Sequence, residues 1–323
     1  SGPITLAKAV TLRNSGFGDR LQFSGGISGT GDVTIDSAVA GSKTVFISTA
    51  NTFTGNIYIT GTGKLQLSDG SASTTDLIPD ASSVNLNTSG GVFNLAKGGN
   101  NETIGGLAGV AGTSVNGVSG ADTLTVGSGN ATATYAGTIS GSLALTKIGT
   151  GTQTLSGANT YSRGTTISAG TLSVAADNNL GSAPGTATAG SIVINGGTLA
   201  VTTGFTLSTN RGVALGPSSG SGSGTFDVAS GQTLSYGGVL ANNGGTGGLI
   251  KANSGTLTLT GANTYTGGTT LNAGIVNLGV AEVAGTSGPL GKSAAANAGN
   301  IVLGGGTLQY SAANQYDYSG RFS

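Results

Sequence analysis

Cysteine, histidine, methionine and tryptophan are all absent from these 323 residues, and charged side chains make up only 7% of them. Without cysteine there is neither a disulfide framework nor a thiolate metal site, so stability must come from burial and backbone hydrogen bonding. Proline occurs five times and follows no Gly-X-Y period, which excludes collagen. The net charge is zero, so nothing favours a nucleic acid or an acidic membrane surface as partner. There is no run of 18 apolar residues, which excludes a transmembrane helix. No secretory leader opens the chain either, because Ser1–Val10 already reads as strand.

What the chain has in quantity is glycine, 63 residues, together with 36% hydrophobic residues. An ordinary domain carries about 7% glycine. A flexible linker would match the glycine, but linkers lack regularly recurring Val, Ile and Leu. Disorder combines low hydrophobicity with high net charge, and neither holds here. The remaining class is all-β: many short strands, with Gly, Asn, Ser and Thr at their corners.

The clearest pattern is a near duplication. Thr154–Val174 reads TLSGANTYSRGTTISAGTLSV, and Leu257–Leu278 reads LTLTGANTYTGGTTLNAGIVNL. Asn159 and Asn263 recur with the same separation as Lys147 and Lys251, and a worn copy stands at 43–67. Three strand-like pieces in so short a unit enclose no core, so the unit hides its apolar face by stacking on a neighbour, as solenoids do. A second marker has the plan aromatic, small, Gly, any residue, apolar. It opens at Phe23 (FSGGI), Tyr135 (YAGTI), Tyr236 (YGGVL) and Tyr318 (YSGRF).

These patterns predict one continuous β-solenoid over 1–323, a segment of a longer repeat array with units starting near 23, 135, 236 and 318. At about 20–24 residues per coil it would hold roughly 14 coils. Rungs about 4.8 Å apart would then give a rod on the order of 65–70 Å long. Alternate residues in LTLT and IVIN point inward, and Asn159 and Asn263 sit at corners with their amides bonded to backbone or to a neighbouring coil. Gly157, Gly261, Tyr161 and Tyr265 complete the corner. The irregular stretches are Ser68–Asp80, read as a surface excursion, 96–120 with a loop at Lys97–Glu102, the insertion Ala175–Ala189, the flexible corner Pro217–Gly224, and 279–299.

The two long copies, with their lead-ins TKIGTG and IKANSG, resemble the autotransporter-associated β-strand repeat, also called the passenger-associated transport repeat. That resemblance implies a right-handed parallel β-helix exported to the surface of a Gram-negative bacterium, often within a very large protein. Absence of cysteine suits a chain that crosses the periplasm unfolded. No segment here reads as the outer-membrane barrel that such proteins usually carry at the C-terminus.

Chemistry finds little footing. Ten Asp and two Glu are scattered, and the closest strand pair, Asp32 and Asp36, reads as solvated rather than catalytic or calcium-binding. Neither an RTX-type calcium repeat nor a Gly-Lys-Ser/Thr phosphate loop occurs. No catalytic residue, cofactor or metal ligand is expected. Thr-rich strands such as TLTLT read as solvent-facing residues chosen for β propensity rather than as an ice-binding ladder. Tyr310, Tyr316 and Tyr318 form the one aromatic cluster in sequence and are the candidate surface patch. The expected function is therefore a non-enzymatic extracellular rod, stalk or filament segment. Its expected partners are further repeats or head-to-tail copies of the same protein. The alternative is an adhesin that binds glycans or other cell-surface components through insertions at 68–82, 96–120 and 279–299. A polysaccharide-active enzyme comes third.

Overall fold

The computed structural model describes residues 2–14, 20–37, 43–46, 50–67, 76–97, 101–292 and 300–322. They fall into two compact units, Ser1–Gly164 and Thr165–Ser323. Each is a parallel β-solenoid with almost no helix.

In the first unit the longest ladder runs Val10–Asn14, Val33–Ser37, Ile57–Gly61, Val84–Leu86, Leu107–Gly109, Ala133–Tyr135, Thr152–Leu155. A second face is built from Arg20–Phe23, Lys43–Phe46, Lys64–Leu67, Val92–Lys97, Ser114–Val126 and Thr138–Lys147, with Asn101–Ile104 also paired to Ser114–Val126. A third face holds, among the described residues, Ile4–Leu6, Ile27–Gly29 and Thr52–Phe53. In the second unit the longest ladder runs Thr171–Val174, Thr198–Val201, Ser221–Val228, Thr246–Ala252, Thr269–Leu271, Ile301–Leu303. Beside it stand Thr165–Ile167, Thr188–Ile194, Arg211–Leu215 and Leu240–Asn242, and a third face from Phe205–Leu207 to Thr307–Tyr310. These ladders leave the expected figure of about 14 coils unconfirmed.

Register explains the composition. Parallel pairing places each residue on its equivalent one coil away, so Val33, Ile57, Val84 and Leu107 form one inward column. Leu234, Leu257 and Val276 form another in the second unit. All seven are fully buried, while their strand neighbours alternate outward. Burial of each such side chain stabilises by roughly 1.5–3 kcal/mol, and here it is repeated on every rung. The alternation read from LTLT and IVIN is the alternation seen.

Three irregular stretches differ from expectation. Leu77 and Ile78, placed in a surface excursion by sequence, are core residues; residues 68–75 lie outside the described set. The described residues of 96–120 hold strands rather than an insertion, and Glu102, assigned to a loop at Lys97–Glu102, lies buried on Asn101–Ile104, while residues 98–100 of that expected loop lie outside the described set. Within Pro217–Gly224, residues 221–224 pair in register with 246–249. In the second and third cases strand pairing supplied by a neighbouring coil outweighs weak local propensity; Leu77 and Ile78 are instead held by the Glu102 side chain. The insertion at Ala175–Ala189 is present and carries the short 3-10 turn Asp177–Leu180.

Candidate functional site

The duplicated corner is where the sequence departs most from plain alternation, and its asparagines are buried, Asn159 at 3% exposure and Asn263 at 0%. In the first unit Asn159 Oδ1 accepts the backbone N–H of Ile139 at 2.8 Å. In the second, Asn263 Oδ1 accepts that of Leu240 at 2.8 Å, and its Nδ2 donates to the Pro289 carbonyl at 2.9 Å. Asn51 repeats the arrangement, accepting from Ile27 at 2.8 Å and donating to the Leu77 carbonyl at 2.6 Å. The carboxamides of Asn51 and Asn263 therefore tie a strand of the preceding coil to backbone of the following one. Asparagine suits this place because one short planar group carries both a donor and an acceptor.

Ile27, Ile139 and Leu240 are the closing apolar residues of the FSGGI, YAGTI and YGGVL markers. Two motifs that look independent in sequence are thus the two halves of one contact. Main-chain bonds strengthen it identically in both long copies. Thr160 and Tyr161 donate to the Ile139 carbonyl at 2.8 and 3.2 Å, and Thr264 and Tyr265 donate to the Leu240 carbonyl at the same distances. Gly157 and Gly261 permit this approach: a Cβ would land on the carbonyl oxygen of Gly137 or Gly238, which no other residue avoids.

The corner tyrosines are core residues. Tyr161 and Tyr265 are buried, and Tyr265 shares a 2.6 Å hydrogen bond between its hydroxyl and Thr269 Oγ1. Tyr135 and Tyr236 of the marker are buried as well, and desolvation pushes both phenols up to about 12. Tyr236 donates to the Arg211 carbonyl at 2.5 Å and the Val239 carbonyl at 3.2 Å.

Charged residues enter the core at positions that no local pattern marks as buried. Lys147 and Lys251 are fully buried. Lys147 Nζ donates to the carbonyls of Ile148 (2.5 Å) and Gly149 (3.0 Å). Lys251 Nζ donates to Ala252 (2.7 Å), Asn253 (2.6 Å) and Ala273 (3.4 Å). These ammonium groups satisfy carbonyls that the turning chain leaves unpaired, and burial lowers both pKa values, that of Lys251 to about 8. The Ala-Gly corner of the motif follows from this cup. Gly274 has φ +72°, and a Cβ there would meet Lys251 Nζ and two carbonyls.

Arg211 is buried and fixes the insertion that follows the first copy. Its guanidinium takes both Asp177 carboxylate oxygens at 3.0 and 3.1 Å and donates to the carbonyls of Leu180 and Gly181. Arg321 does comparable work after the second copy, reaching Glu282 at 3.5 Å, the Leu290 carbonyl at 2.8 Å and Asn300 Oδ1 at 2.8 Å. Asp36 pairs with the exposed Arg13 at 2.6 Å, and the half-buried Asp32 accepts the Asn56 N–H at 2.8 Å.

The three C-terminal tyrosines do come together, with ring centroids 5.9 Å apart for Tyr310–Tyr318 and 5.0 Å for Tyr316–Tyr318. Tyr318 is nevertheless buried, its hydroxyl donating to Glu282 at 2.9 Å and accepting from Asn314 at 2.9 Å. Only Tyr310 and Tyr316 offer ring surface, which corrects the expected three-residue patch. Among the described residues no group of three or more Asp, Glu, His or Cys is placed to hold a metal ion, and no helix is long and apolar enough to cross a membrane.

Comparison with known proteins agrees with this geometry. The family described as passenger-associated-transport-repeat matches residues 145–174 and 249–278. The chain is also similar to the adhesin BmaC autotransporter of Brucella suis biovar 1 (strain 1330), 35% identical over 180 residues. That stretch is 55% of this chain and 5% of the Brucella protein, so the chain spans a small fraction of that relative's length. The two long corners that clamp one coil to the next lie within the segments that match the passenger-associated-transport-repeat model, set in a parallel β-solenoid.

Proposed function

We propose that this chain is a non-enzymatic structural segment of a large extracellular bacterial surface protein, acting as a rod, stalk or filament element. The observation that carries the reading is the corner clamp. The repeat's distinctive residues are spent on binding coil to coil: Asn51 and Asn263 each bridge two neighbours, and Lys147 and Lys251 quench main-chain carbonyls. Residues arranged for self-stacking, with their polar atoms already paired inward, are suited to holding an array together rather than to turning over a substrate. The corner residues Asn159, Asn263, Gly157, Gly261, Tyr161 and Tyr265 are in this reading structural. Partners of the same kind follow, namely further repeats of the same protein or head-to-tail copies of it.

Electron microscopy of native surface preparations tests this. Heat- and protease-resistant particles longer than the chain alone could form are expected, and short isolated monomers would sink the filament version. A second reading, an adhesin that grips glycans or other surface components, is supported by the similarity to the Brucella adhesin and by the pinned insertion at 175–189. A reproducible, saturable hit on a glycan array would favour it.

A further inference from the structure

In the first unit one glutamate stands in a column of leucines. Glu102 pairs in register with Leu124, which pairs with Leu145. It is 1% exposed. An isolated carboxylate at such a site is costly, because no water solvates it. Glu102 Oε2 accepts the N–H of Leu77 at 2.9 Å, and Oε1 accepts that of Ile78 at 2.6 Å. These consecutive amides follow Asp76, whose φ is +62°, and both N–H groups are turned toward the one carboxyl group.

Over 76–83 the chain has no strand of its own. Leu77 and Ile78 are nonetheless buried. From the other side, Asn51 holds the Leu77 carbonyl through its backbone N–H (3.2 Å) and Nδ2 (2.6 Å). The segment is thus fastened between two side chains, an amide that does not titrate and a carboxyl that does. The charged groups acting on Glu102 are Asp76 and Asp80, and among the described residues no ion pair involves any of the three. Burial first, then these two like charges, push Glu102 up to about 8, against the pull of its two N–H bonds. Burial and Asp80 raise Asp76 as well.

We propose that Glu102 is a proton-operated latch, which holds segment 76–83 in the core column while neutral and loosens it once ionised. A neutral carboxyl still offers acceptor lone pairs to both amides, whereas the ionised group adds repulsion from Asp76 and Asp80 in a water-poor site. For an acid raised on folding, the stabilisation is complete below the unfolded pKa and is lost as pH rises through the folded one. The latch is therefore tight in acid and slack in mild alkali.

Hydrogen exchange on the whole chain, read by NMR at Leu77 and Ile78 and referenced to the ladder amides of Val92 and Ser114, tests the latch. The exchange ratio of latch to reference amides should rise about tenfold or more between pH 6 and pH 9. Glu102→Gln should flatten that rise. Asp80→Asn, at an exposed position, removes a like charge and should move the midpoint to lower pH. A wild-type ratio constant with pH, or an unmoved midpoint in Asp80→Asn, would overturn the proposal.

Discussion

Replacing Asn263 by alanine removes one carboxamide and strands two buried backbone groups, the N–H of Leu240 and the carbonyl of Pro289. The side chain is fully buried, so water does not step in as a substitute. A lost hydrogen bond costs about 0.5–1.5 kcal/mol net, and a buried group left unsatisfied costs about 1–3 kcal/mol. Asn263→Ala should therefore destabilise the second unit by about 2–4 kcal/mol. The matched control is Asn277→Ala, which removes an exposed side-chain bond to Gln309 and should stay within about 0.5 kcal/mol of the parent. Urea unfolding followed by circular dichroism gives both values. Because stacked coils need not melt as one, exchange at the Leu240 amide should be read alongside. Equal midpoints for the two variants, with unchanged protection at Leu240, would refute the clamp as a source of stability.

Lys251→Met keeps the apolar stem but leaves the carbonyls of Ala252 and Asn253 without their ammonium, and should cost about 1–3 kcal/mol in the same assay. Lys251 has its pKa lowered from 10.5 to about 8, so the unfolded chain binds more protons between those values. Stability against pH should accordingly slope upward across that window in the parent and lose this component in Lys251→Met. Gly261→Ala pushes a Cβ onto the Gly238 carbonyl and should lose about 1–3 kcal/mol, whereas Gly320→Ala, with open space around it, should be near neutral. Arg211→Ala leaves Asp177 without its partner and frees the insertion, so limited proteolysis should cut within 177–184 in the variant and spare the parent.

The sequence carried the solenoid openly because an in-register parallel stack repeats one constraint on every coil. The inward columns such as Val33–Ile57–Val84 show as alternation, and the corner shows as a repeated Gly-Ala-Asn-Thr-Tyr. Glu102, Lys147, Arg211 and Lys251 were not legible as core residues, since a charged side chain in a glycine-rich segment reads as solvent-facing. Apart from the Asp177 carboxylate that pairs with Arg211, their partners named above are main-chain carbonyls and amides, which leave no mark in the sequence. Leu77 and Ile78 were missed for a related reason: a side chain, not a strand partner, holds them in place.

By itself, then, the sequence determined the class and the repeat: a charge-poor, cysteine-free, glycine-rich chain with period-two apolar runs has nowhere to hide those runs except against its own copies. Only the tertiary structure decided what the repeat's polar residues do. Asn159 and Ile139, or Asn263 and Leu240, are brought together by the winding of the coil, and no local pattern could have joined them. Their hydrogen bonds exist because one coil lies on the next, which is why a motif conspicuous in sequence acquires its meaning only across the stack.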